Sequence, residues 1–391
     1  MPKWQNWSGK LSAEPQQLVF ARSVADVQAL LEQASKHNQR VRTAGATHSH
    51  APLVASDDII LDIAGLAGLI SCDPDRKTAS MWAGSRIFTL GRALHDAGLA
   101  LHNQGDIDQQ TIAGATATGT HGTGVTLSNF SARVCGFELV TSSGELLRAD
   151  REQNSELWQA ARLHLGAFGV MTAMTLDVRE SYRLRERSWQ APLAPTLESF
   201  DQHAGEHRHC EFFWYPQQDQ ATVKVTDETR EAPEYPLAEE GKRCAWNYEV
   251  LPNHRPHKHT EMEYSVPAEQ GIDCMRAIAR LLHERFPEVQ WPVEYRTLAA
   301  DEVWLSTARN RATVTISVHQ DVRLDDAAYF RACEEVFLEH DGKPHWGKVN
   351  YLNAGQMAAR HEDWEAWWRV RDRLDPTSTF LNPYLERIRP S

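Results

Sequence analysis

Two segments of small residues and histidine carry the clearest chemical signal in this sequence. The first covers residues 44–50 (AGATHSH) and the second residues 114–124 (GATATGTHGTG), and each follows an apolar segment. Loops of glycine, alanine, serine and threonine let backbone N–H groups approach an anion closely, so each is a candidate cradle for a diphosphate. Two such loops predict a large dinucleotide cofactor.

A second set of reactive residues lies in the C-terminal half. Glu294 and Arg296 are two apart in a β-rich run, so both side chains project to one face of a predicted strand as a charge-assisted pair. An isolated pair of this kind is also typical of a solvated strand edge. In a later run, alternation places four polar residues on one face: Thr313, Thr315, Ser317 and His319. His319 is therefore either a base or a structural histidine.

Three familiar fingerprints are missing from the sequence. No Gly-x-Gly-x-x-Gly opens a helix after a first strand, which argues against a Rossmann site. Gly114 and Gly119 have Walker spacing, but Thr120 and His121 stand where Lys-Ser/Thr is required, so phosphoryl transfer is disfavoured. The 18 histidines show no His-Glu-x-x-His or comparable spacing, so we expect no metal site.

The elements that must position these residues alternate along the chain. Ser23 and Asp26 form a capping-box-like start to a helix whose apolar residues fall on one face. Further helices are predicted at 86–97, 271–286, 325–340 and 364–374, and strands at 39–43, 59–63, 79–82, 132–141, 293–296 and 312–320. The spacing of Trp364, Trp367 and Trp368 indicates core packing rather than a carbohydrate platform.

Composition limits the possible functions. The 391 residues are 41% hydrophobic and 24% charged, and the net charge of −12 argues against nucleic acid or an anionic membrane as the main partner. No apolar run reaches the ~20 residues that span a bilayer, and the N-terminus lacks the apolar segment of a signal peptide. Six scattered cysteines indicate free thiols, so we expect a cytoplasmic protein; the oligomeric state is not predicted.

In their order, these motifs resemble the vanillyl-alcohol oxidase superfamily of PCMH-type FAD flavoproteins. AGATHS at 44–49, GDIDQQTIAG at 105–114 and TGTHGTG at 118–124 are similar to its FAD-binding loops. Later segments are similar to the aldonolactone oxidase branch, which includes gulono-, galactono- and arabinono-1,4-lactone oxidases and the alditol oxidases. These segments are PVEYR at 292–296, WLS at 304–306, PHWGK at 344–348, and LDP and FLN within 374–382.

The resemblance implies an FAD site made by these loops. His48 matches the histidine that many members bond to the flavin 8α-methyl carbon; the alternative is a hydrogen-bonding histidine beside non-covalent FAD. The other expected cofactor contacts are Gly45, Ala46, Thr47, Ser49, Gly105, Asp106, Thr111, Gly114, Thr118, Gly119, His121, Gly122, Gly124, Gly169 and Val170. An ordinary tight turn is the alternative interpretation of the second loop.

Two adjacent residues bear on the electron acceptor and the substrate. Members with glycine at the position of Gly105 are generally oxidases, because a missing methyl leaves room for O2 beside the reduced ring; a requirement of backbone geometry alone is the alternative. Asp106 replaces a serine of the alditol oxidases. This replacement favours a lactone or another cyclic polyol over an open-chain polyol.

The reaction implied is FAD-dependent oxidation of an alcohol group in a small polyhydroxylated substrate, most simply a sugar 1,4-lactone. Hydride passes to flavin N5 and the electrons then pass to O2, giving H2O2. The catalytic residues carried over are Glu294, Arg296, His319 and Lys348, although an ungapped count places the alditol-oxidase histidine at Ser317. Alternatives are alditol oxidation, a dehydrogenase that uses a quinone or cytochrome, and a flavin-binding protein without turnover.

These inferences predict an α+β fold in three parts. Residues 1–180 form a PCMH-type FAD-binding domain, residues 181–345 a mixed α/β substrate-cap domain, and residues 346–391 a C-terminal segment that returns to the FAD site. From residue 182 to about residue 259 charged and aromatic residues dominate, and prolines at 233, 236, 252 and 256 are expected to break any long element.

Overall fold

The computed structural model describes residues 2–390 as short N-terminal strands, long central strands and a C-terminal group of helices. The strands are β1 (Trp4–Gln5), β2 (Ser12–Ala13), β3 (Gln17–Phe20), β4 (Val41–Ala44), β5 (Ile59–Asp62), β6 (Leu69–Asp73), β7 (Thr78–Trp82), β8 (Leu99–Ala100), β9 (Val134–Val140), β10 (Leu146–Asp150), β11 (Val170–Asp177), β12 (Arg179–Glu180), β13 (Arg183–Pro192), β14 (His209–Tyr215), β15 (Gln220–Thr229), β16 (Cys244–Trp246), β17 (His259–Pro267), β18 (Val293–Leu298), β19 (Thr313–Asp321) and β20 (Lys343–Pro344). The helices are α1 (Val24–Lys36), α2 (Ile87–Asp96), α3 (Ile112–Thr118), α4 (Ser155–Ala161), α5 (Leu193–Glu206), α6 (Asn247–Val250), α7 (Gly271–Arg285), α8 (Ala327–Glu339), α9 (Ala354–Ala358), α10 (Trp364–Leu374) and α11 (Pro383–Ile388). None of the helices in this range has the length and apolar character needed to cross a bilayer.

Two N-terminal sheets hold the small-residue segments. β3, β5 and β4 form a parallel sheet, and the first loop leaves the end of β4 at Ala44. A five-stranded antiparallel sheet has the order β10-β9-β11-β7-β6. The interpretation of the second segment as a loop was wrong over residues 112–118, which form α3. Thr111 caps this helix and Gly119 ends it in the left-handed conformation (φ +72°), so the start and stop signals are present in the sequence.

An eight-stranded antiparallel sheet forms the middle of the chain, in the order β16-β13-β15-β14-β18-β19-β17-β20. Helices α5, α7 and α8 cover one face with apolar side chains such as Phe200 and Phe330. Because successive residues of a strand point to opposite faces, the other face receives the polar positions. In β17, for example, Met262 packs in the apolar core, whereas Glu261 and Glu263 line a cavity.

This sheet corrects the expectation that prolines break residues 182–259 into short pieces. β13, β14 and β15 are long strands, and α5 spans 14 residues. Prolines 233, 236, 252 and 256 lie in the connections between elements, where they interrupt nothing. The strands were not predicted because their many charged residues give the segment the composition of a solvent-exposed loop, although these residues alternate with apolar ones as in a half-buried strand.

The C-terminal helices pack against the N-terminal part of the chain. Trp364, Trp367 and Trp368 are at most 2% exposed in the same core as the N-terminal sheets, which confirms the prediction of core packing. The buried Arg42 guanidinium, on β4, donates to the carbonyl oxygens of Leu165 and Phe380. The strand that leads into the first loop is thus tied directly to the C-terminal segment.

Candidate active site

A narrow cleft lies between the first loop and helix α3. Five of the predicted cofactor residues line it from the loop: Gly45, Ala46, Thr47, His48 and Ser49. Thr111, Gly114, Thr118 and Gly169 line it from the other side. A Cβ atom on Gly45 would lie 2.4 Å from Thr111 Oγ1, so only glycine permits this approach.

The walls of the cleft contain buried polar atoms that need a ligand. Within residues 2–390, Trp4 Nε1, Thr43 Oγ1 and His164 Nε2 are buried at the cleft and have no hydrogen-bond partner. Such atoms are rare in folded proteins, because an unpaired buried polar group is costly. With the close backbone approach at Gly45, they fit the diphosphate and flanking polar groups of a dinucleotide.

His48 lies where the cleft meets a second, larger cavity, and it lines both. Its ring stacks on Trp7, with the ring centroids 5.5 Å apart and the planes at 26°. Burial lowers the pKa of His48 to about 4, and the nearby Arg86 and Lys348 charges add to this shift. The imidazole is therefore neutral at physiological pH, the form in which a ring nitrogen carries a lone pair.

The larger cavity extends from His48 to the polar face of the eight-stranded sheet. Its volume of about 1170 Å³ slightly exceeds the ~300–1,000 Å³ of typical small-molecule sites. All four predicted catalytic residues line it: Glu294, Arg296, His319 and Lys348. Gly105, Asp106 and His121 line it from the N-terminal side. Residues far apart in the sequence thus share one solvent-accessible space.

Four predicted cofactor residues lie outside the walls of both cavities, as far as residues 2–390 are described. Gly119 ends α3, and Gly124 adopts a φ of +142° that favours glycine. Gly122 packs where a Cβ atom would lie 2.3 Å from a backbone oxygen. Val170 is fully buried at the start of β11. The observed roles of these residues are turns and packing.

Arg296 is the centre of a buried ionic network in the cavity. Its Nε lies 2.7 Å from Glu211 Oε2, and its Nη2 contacts Glu294 and lies 3.2 Å from Asp106 Oδ1. Glu211 also pairs with Lys224 at 2.7 Å. Although burial disfavours the charged guanidinium, the three carboxyl groups raise the pKa of Arg296 well above its usual value. Arg296 is therefore a permanently charged group held from three sides.

Glu294 differs from the other acids of this network. Burial raises its pKa well above the usual value; Arg296 opposes the rise, and repulsion from Asp106 and Glu211 adds to it. Among the residues that the structure describes, the buried Glu294 Oε1 has no hydrogen-bond donor, despite its contact with Arg296. By contrast, although burial opposes ionisation, Lys224 and Arg296 hold the pKa of Glu211 below its usual value. Glu294 is thus the acid of the network whose surroundings favour the protonated form.

A second group of charges surrounds Glu261. The Lys348 ammonium contacts Glu261 Oε2. The Nε2 atoms of His259, His319 and His50 lie 3.6, 3.7 and 3.9 Å from the same carboxylate. Although burial opposes ionisation, Lys348 and His319 lower the pKa of Glu261 well below its usual value. Glu261 is therefore an ionised acceptor that faces one ammonium and three imidazoles.

The tautomer of His319 follows from its contacts. His319 Nδ1 lies 2.8 Å from the Pro292 carbonyl oxygen, which can only accept a hydrogen bond. The proton is therefore on Nδ1, and the Nε2 lone pair faces the cavity. Burial lowers the pKa of His319 to about 4, although Glu261 opposes this shift. His319 is thus a neutral base whose free nitrogen, Nε2, lies 3.7 Å from Glu261 Oε1.

His121 links the second segment to the sheet. Its Nε2 lies 2.8 Å from Glu263 Oε1, and Ser317 donates to Glu263 Oε2 at 2.9 Å. Ser317, the position indicated by the ungapped count, therefore binds a carboxylate of β17. It holds that carboxylate in place instead of providing a base.

The sequence interpretation missed much of the charged lining. The residues concerned are His50, Lys224, Arg255, His259, Glu261 and Glu263. For those on strands, the signal is a charged residue at every second position among apolar ones, as in VKV at 223–225 and EMEY at 261–264. Such a pattern is typical of a strand with one apolar face and one face of paired charges.

Comparison with known proteins agrees with this architecture. The D-arabinono-1,4-lactone oxidase family model matches residues 174–254 and 237–388, and an FAD binding domain model matches residues 15–150. The chain is 34% identical to the L-gulono-1,4-lactone dehydrogenase of Mycobacterium tuberculosis over 99% of both chains. It is 25% identical to the L-gulonolactone oxidase of Bos taurus, over 99% of this chain and 98% of that protein.

A solved structure shares the whole fold. The crystal structure of a cholesterol oxidase from Brevibacterium sterolicum superposes with a TM-score of 0.88, over 99% of this chain and 96% of that chain, at 17% sequence identity. The predicted α+β, PCMH-type fold is confirmed. Because the family model covers more than half of the chain, this protein belongs to the D-arabinono-1,4-lactone oxidase family of FAD-dependent oxidoreductases.

Proposed function

We propose that this enzyme oxidises an alcohol group of a sugar 1,4-lactone of the gulono, galactono or arabinono type and passes the electrons to O2, forming H2O2. The observation that carries the proposal is the convergence of Arg296, His319 and Lys348 on one polar cavity that begins at His48. The lactone activities named for the relatives support the substrate class. Six free cysteines support a cytoplasmic location.

The cofactor would be held by the residues of the cleft. Gly45, Thr47 and Ser49 would present the backbone of the first loop to the diphosphate, and Thr111 and Gly114 would enclose it from α3. When bound, FAD supplies the two-electron acceptor. The remaining chemistry belongs to side chains of the cavity.

We further propose that His48 carries FAD covalently. Its neutral imidazole, its position at the junction of the two spaces and the support of Trp7 favour this role. After acid precipitation of the enzyme, the yellow colour should stay in the wild-type pellet and move to the supernatant for His48→Ala. Colour in the wild-type supernatant would reject the bond and leave FAD binding intact.

Arg296 and Glu294 would bind the lactone oxygens. The charged Arg296 guanidinium is fixed by Glu211 and Asp106, so it can orient and polarise a substrate oxygen without rearrangement. The raised pKa of Glu294 favours its protonated form, in which the carboxyl can donate a hydrogen bond to a sugar hydroxyl. One face of β18 would thus offer the substrate two kinds of hydrogen-bond donor, the charged Arg296 guanidinium and the protonated Glu294 carboxyl.

His319 would accept the hydroxyl proton as the carbon–hydrogen bond breaks. Its Nε2 lone pair faces the cavity, and Glu261 at 3.7 Å stabilises the imidazolium that forms. Lys348 contacts the other oxygen of Glu261 and supplies positive charge beside the substrate oxygen. His319 would therefore accept the proton, and Lys348 would stabilise the negative charge that develops on the substrate oxygen.

Steady-state oxidation with an artificial acceptor tests the substrate class. L-Gulono-, L-galactono- and D-arabinono-1,4-lactone should give a higher kcat/KM than xylitol. Arg296→Lys should keep FAD but lose about 10²–10³-fold in kcat/KM, because the lysine cannot reproduce the forked geometry. Arg323→Lys, at an exposed residue, is the matched control. Preference for xylitol would favour alditol oxidation, and failure to oxidise any of these compounds would contradict the proposal.

A dehydrogenase is the second candidate, because the Mycobacterium tuberculosis relative is named as one. Gly105 lines the cavity, but a Cβ atom there would lie 3.0 Å from the His121 carbonyl oxygen, so this glycine also has a packing reason. Rapid mixing of reduced enzyme with oxygenated buffer separates the two functions. Reoxidation of the flavin by O2 that is faster than turnover supports an oxidase. Reoxidation by O2 that is slower than turnover with an artificial acceptor rules the oxidase function out.

A further inference from the structure

We propose that His50, His259 and Glu261 form a binding site for a divalent transition-metal cation of the Zn²⁺ class. Two imidazole nitrogens and one carboxylate oxygen are the donor set of open zinc sites, which keep a fourth position for water or another ligand. The three ligand atoms lie within 4.8 Å of one another. The site lies at the wall of the substrate cavity, beside Lys348.

The distances suit a shared ion better than hydrogen bonds. His259 Nε2 and His50 Nε2 lie 3.6 and 3.9 Å from Glu261 Oε2, beyond the ~2.7–3.2 Å of a hydrogen bond. Ligand atoms that share one tetrahedral ion through bonds of ~2.0–2.2 Å lie ~3.3–3.6 Å apart. Small movements of the side chains would therefore complete the coordination.

His259 also presents the correct nitrogen. His259 Nδ1 lies 3.0 Å from the His257 carbonyl oxygen, which only accepts, so His259 Nε2 carries a lone pair toward Glu261. Within residues 2–390, the His50 Nδ1 is buried without a hydrogen-bond partner. A lone pair on His259 Nε2 that faces the ionised Glu261 carboxylate repels it unless a cation lies between them.

In the metal-free protein, Lys348 supplies a cation at this place. Its ammonium contacts Glu261 Oε2, the same oxygen that His50 and His259 approach. A metal ion and the Lys348 ammonium therefore compete for one oxygen. Zn²⁺ would displace Lys348 from Glu261, so metal binding should inhibit lactone oxidation, and chelation should restore it.

Calorimetric titration of the FAD-loaded, chelator-treated enzyme with Zn²⁺ tests the site. The wild type should bind one ion. Glu261→Gln should weaken binding by about 100-fold or more, whereas Lys348→Met should tighten it by about 10-fold, because the competing ammonium is gone. Misfolding would weaken binding in both variants, so these opposite responses are specific to the proposed site. Retained FAD checks that each variant is folded.

Two other clusters provide controls: the more exposed His203, Glu206 and His207, and the buried His121, Glu263 and His345. His203→Ala should leave Zn²⁺ affinity unchanged. Binding that disappears in His203→Ala, or that persists in Glu261→Gln but is lost in Glu263→Gln, would place the ion elsewhere and overturn the proposal. Absence of binding in both the wild type and Lys348→Met would overturn it as well.

Discussion

The cofactor cleft and the substrate cavity are built in different ways. The cleft takes its closely approaching backbone and small side chains from two local segments, residues 45–49 and 111–118, and its other walls include Trp4, His164 and Gly169. The cavity takes charged or titratable side chains from four strands of the central sheet, β15, β17, β18 and β19, and from residues outside the sheet such as Asp106, Arg255 and Lys348. A site made of closely packed backbone has no room for an added atom. A network of buried charges is instead destabilised by the loss of one member, because the remaining charges are then buried without a partner.

The largest expected effect comes from deleting a charge in the cavity. Arg296→Ala leaves Glu211 and Asp106 without their shared cation, so the free energy of unfolding should fall by about 3–5 kcal/mol. The Arg323 side chain is 84% exposed, so Arg323→Ala should change the free energy of unfolding by less than about 0.5 kcal/mol. Urea denaturation measures both. Similar losses of stability in the two variants would show that a charge in the cavity network contributes no more to stability than an exposed one.

The next effect comes from adding one carbon atom in the cleft. Gly45→Ala places a Cβ 2.4 Å from Thr111 Oγ1, and the displacement should cost about 1–3 kcal/mol and reduce FAD occupancy after reconstitution by about 10-fold or more. Gly205→Ala is the matched control, because open space surrounds that position. Normal FAD occupancy in Gly45→Ala would refute the close-approach account of the cleft.

The pH dependence of stability should separate two acids of the cavity. The folded-state pKa of Glu294 is raised, so folded protein keeps a proton that the unfolded chain releases above pH ~4.3. This contribution to stability is present below pH ~4.3 and is lost as pH rises through the raised pKa, at no more than about 1.4 kcal/mol per pH unit. Glu294→Gln should therefore become more stable relative to wild type as pH rises.

For Glu263, we expect the opposite dependence of stability on pH. Although burial opposes ionisation, His121 and His345 lower its pKa, so its contribution is present above pH ~4.3 and is lost as pH falls. The stability advantage of the wild type over Glu263→Gln should shrink in acid. Denaturation curves at a series of pH values check both trends. Parallel curves for the wild type and both variants would contradict the assigned pKa directions.

The smallest effect compares two helix caps. Thr111 caps α3 at the cleft, and Ser23 caps α1 away from it, so Thr111→Ala and Ser23→Ala should each cost about 1 kcal/mol of stability. FAD occupancy should fall a few-fold for Thr111→Ala alone, because only Thr111 lines the cleft. Equal FAD occupancy in both variants would show that Thr111 does not contribute to FAD binding.

Much of the fold was predictable because its signals are local. The helix that begins at Ser23 has the capping box that the sequence indicated, and α2, α7, α8 and α10 begin and end within two residues of the predicted bounds. The long strands of residues 183–229 were not predicted. Their buried charges are paired across neighbouring strands, as Glu211 is with Lys224 and with Arg296, so a single strand read alone looks like solvent-exposed sequence.

The site divides in the same way. The loop at Gly45 and the Glu294-x-Arg296 pair are short motifs, and the structure places both at the walls of the cavities. The cluster around Glu261 joins residues from His50 to Lys348, and no spacing motif can show it. Long-range pairing between β17 and β19 brings Glu261 opposite His319. Such contacts depend on sheet register, which is a property of the folded chain.

Anaerobic mixing of the FAD-loaded enzyme with L-gulono-1,4-lactone tests the central claim most directly. Loss of the oxidised-flavin absorbance reports transfer of two electrons from substrate without any contribution from the final acceptor. The wild type should bleach completely within a single turnover, and Arg296→Lys should bleach at least about 100-fold more slowly while it retains FAD. A wild-type enzyme with full FAD occupancy that stays yellow with gulono-, galactono- and arabinono-1,4-lactone would contradict the account.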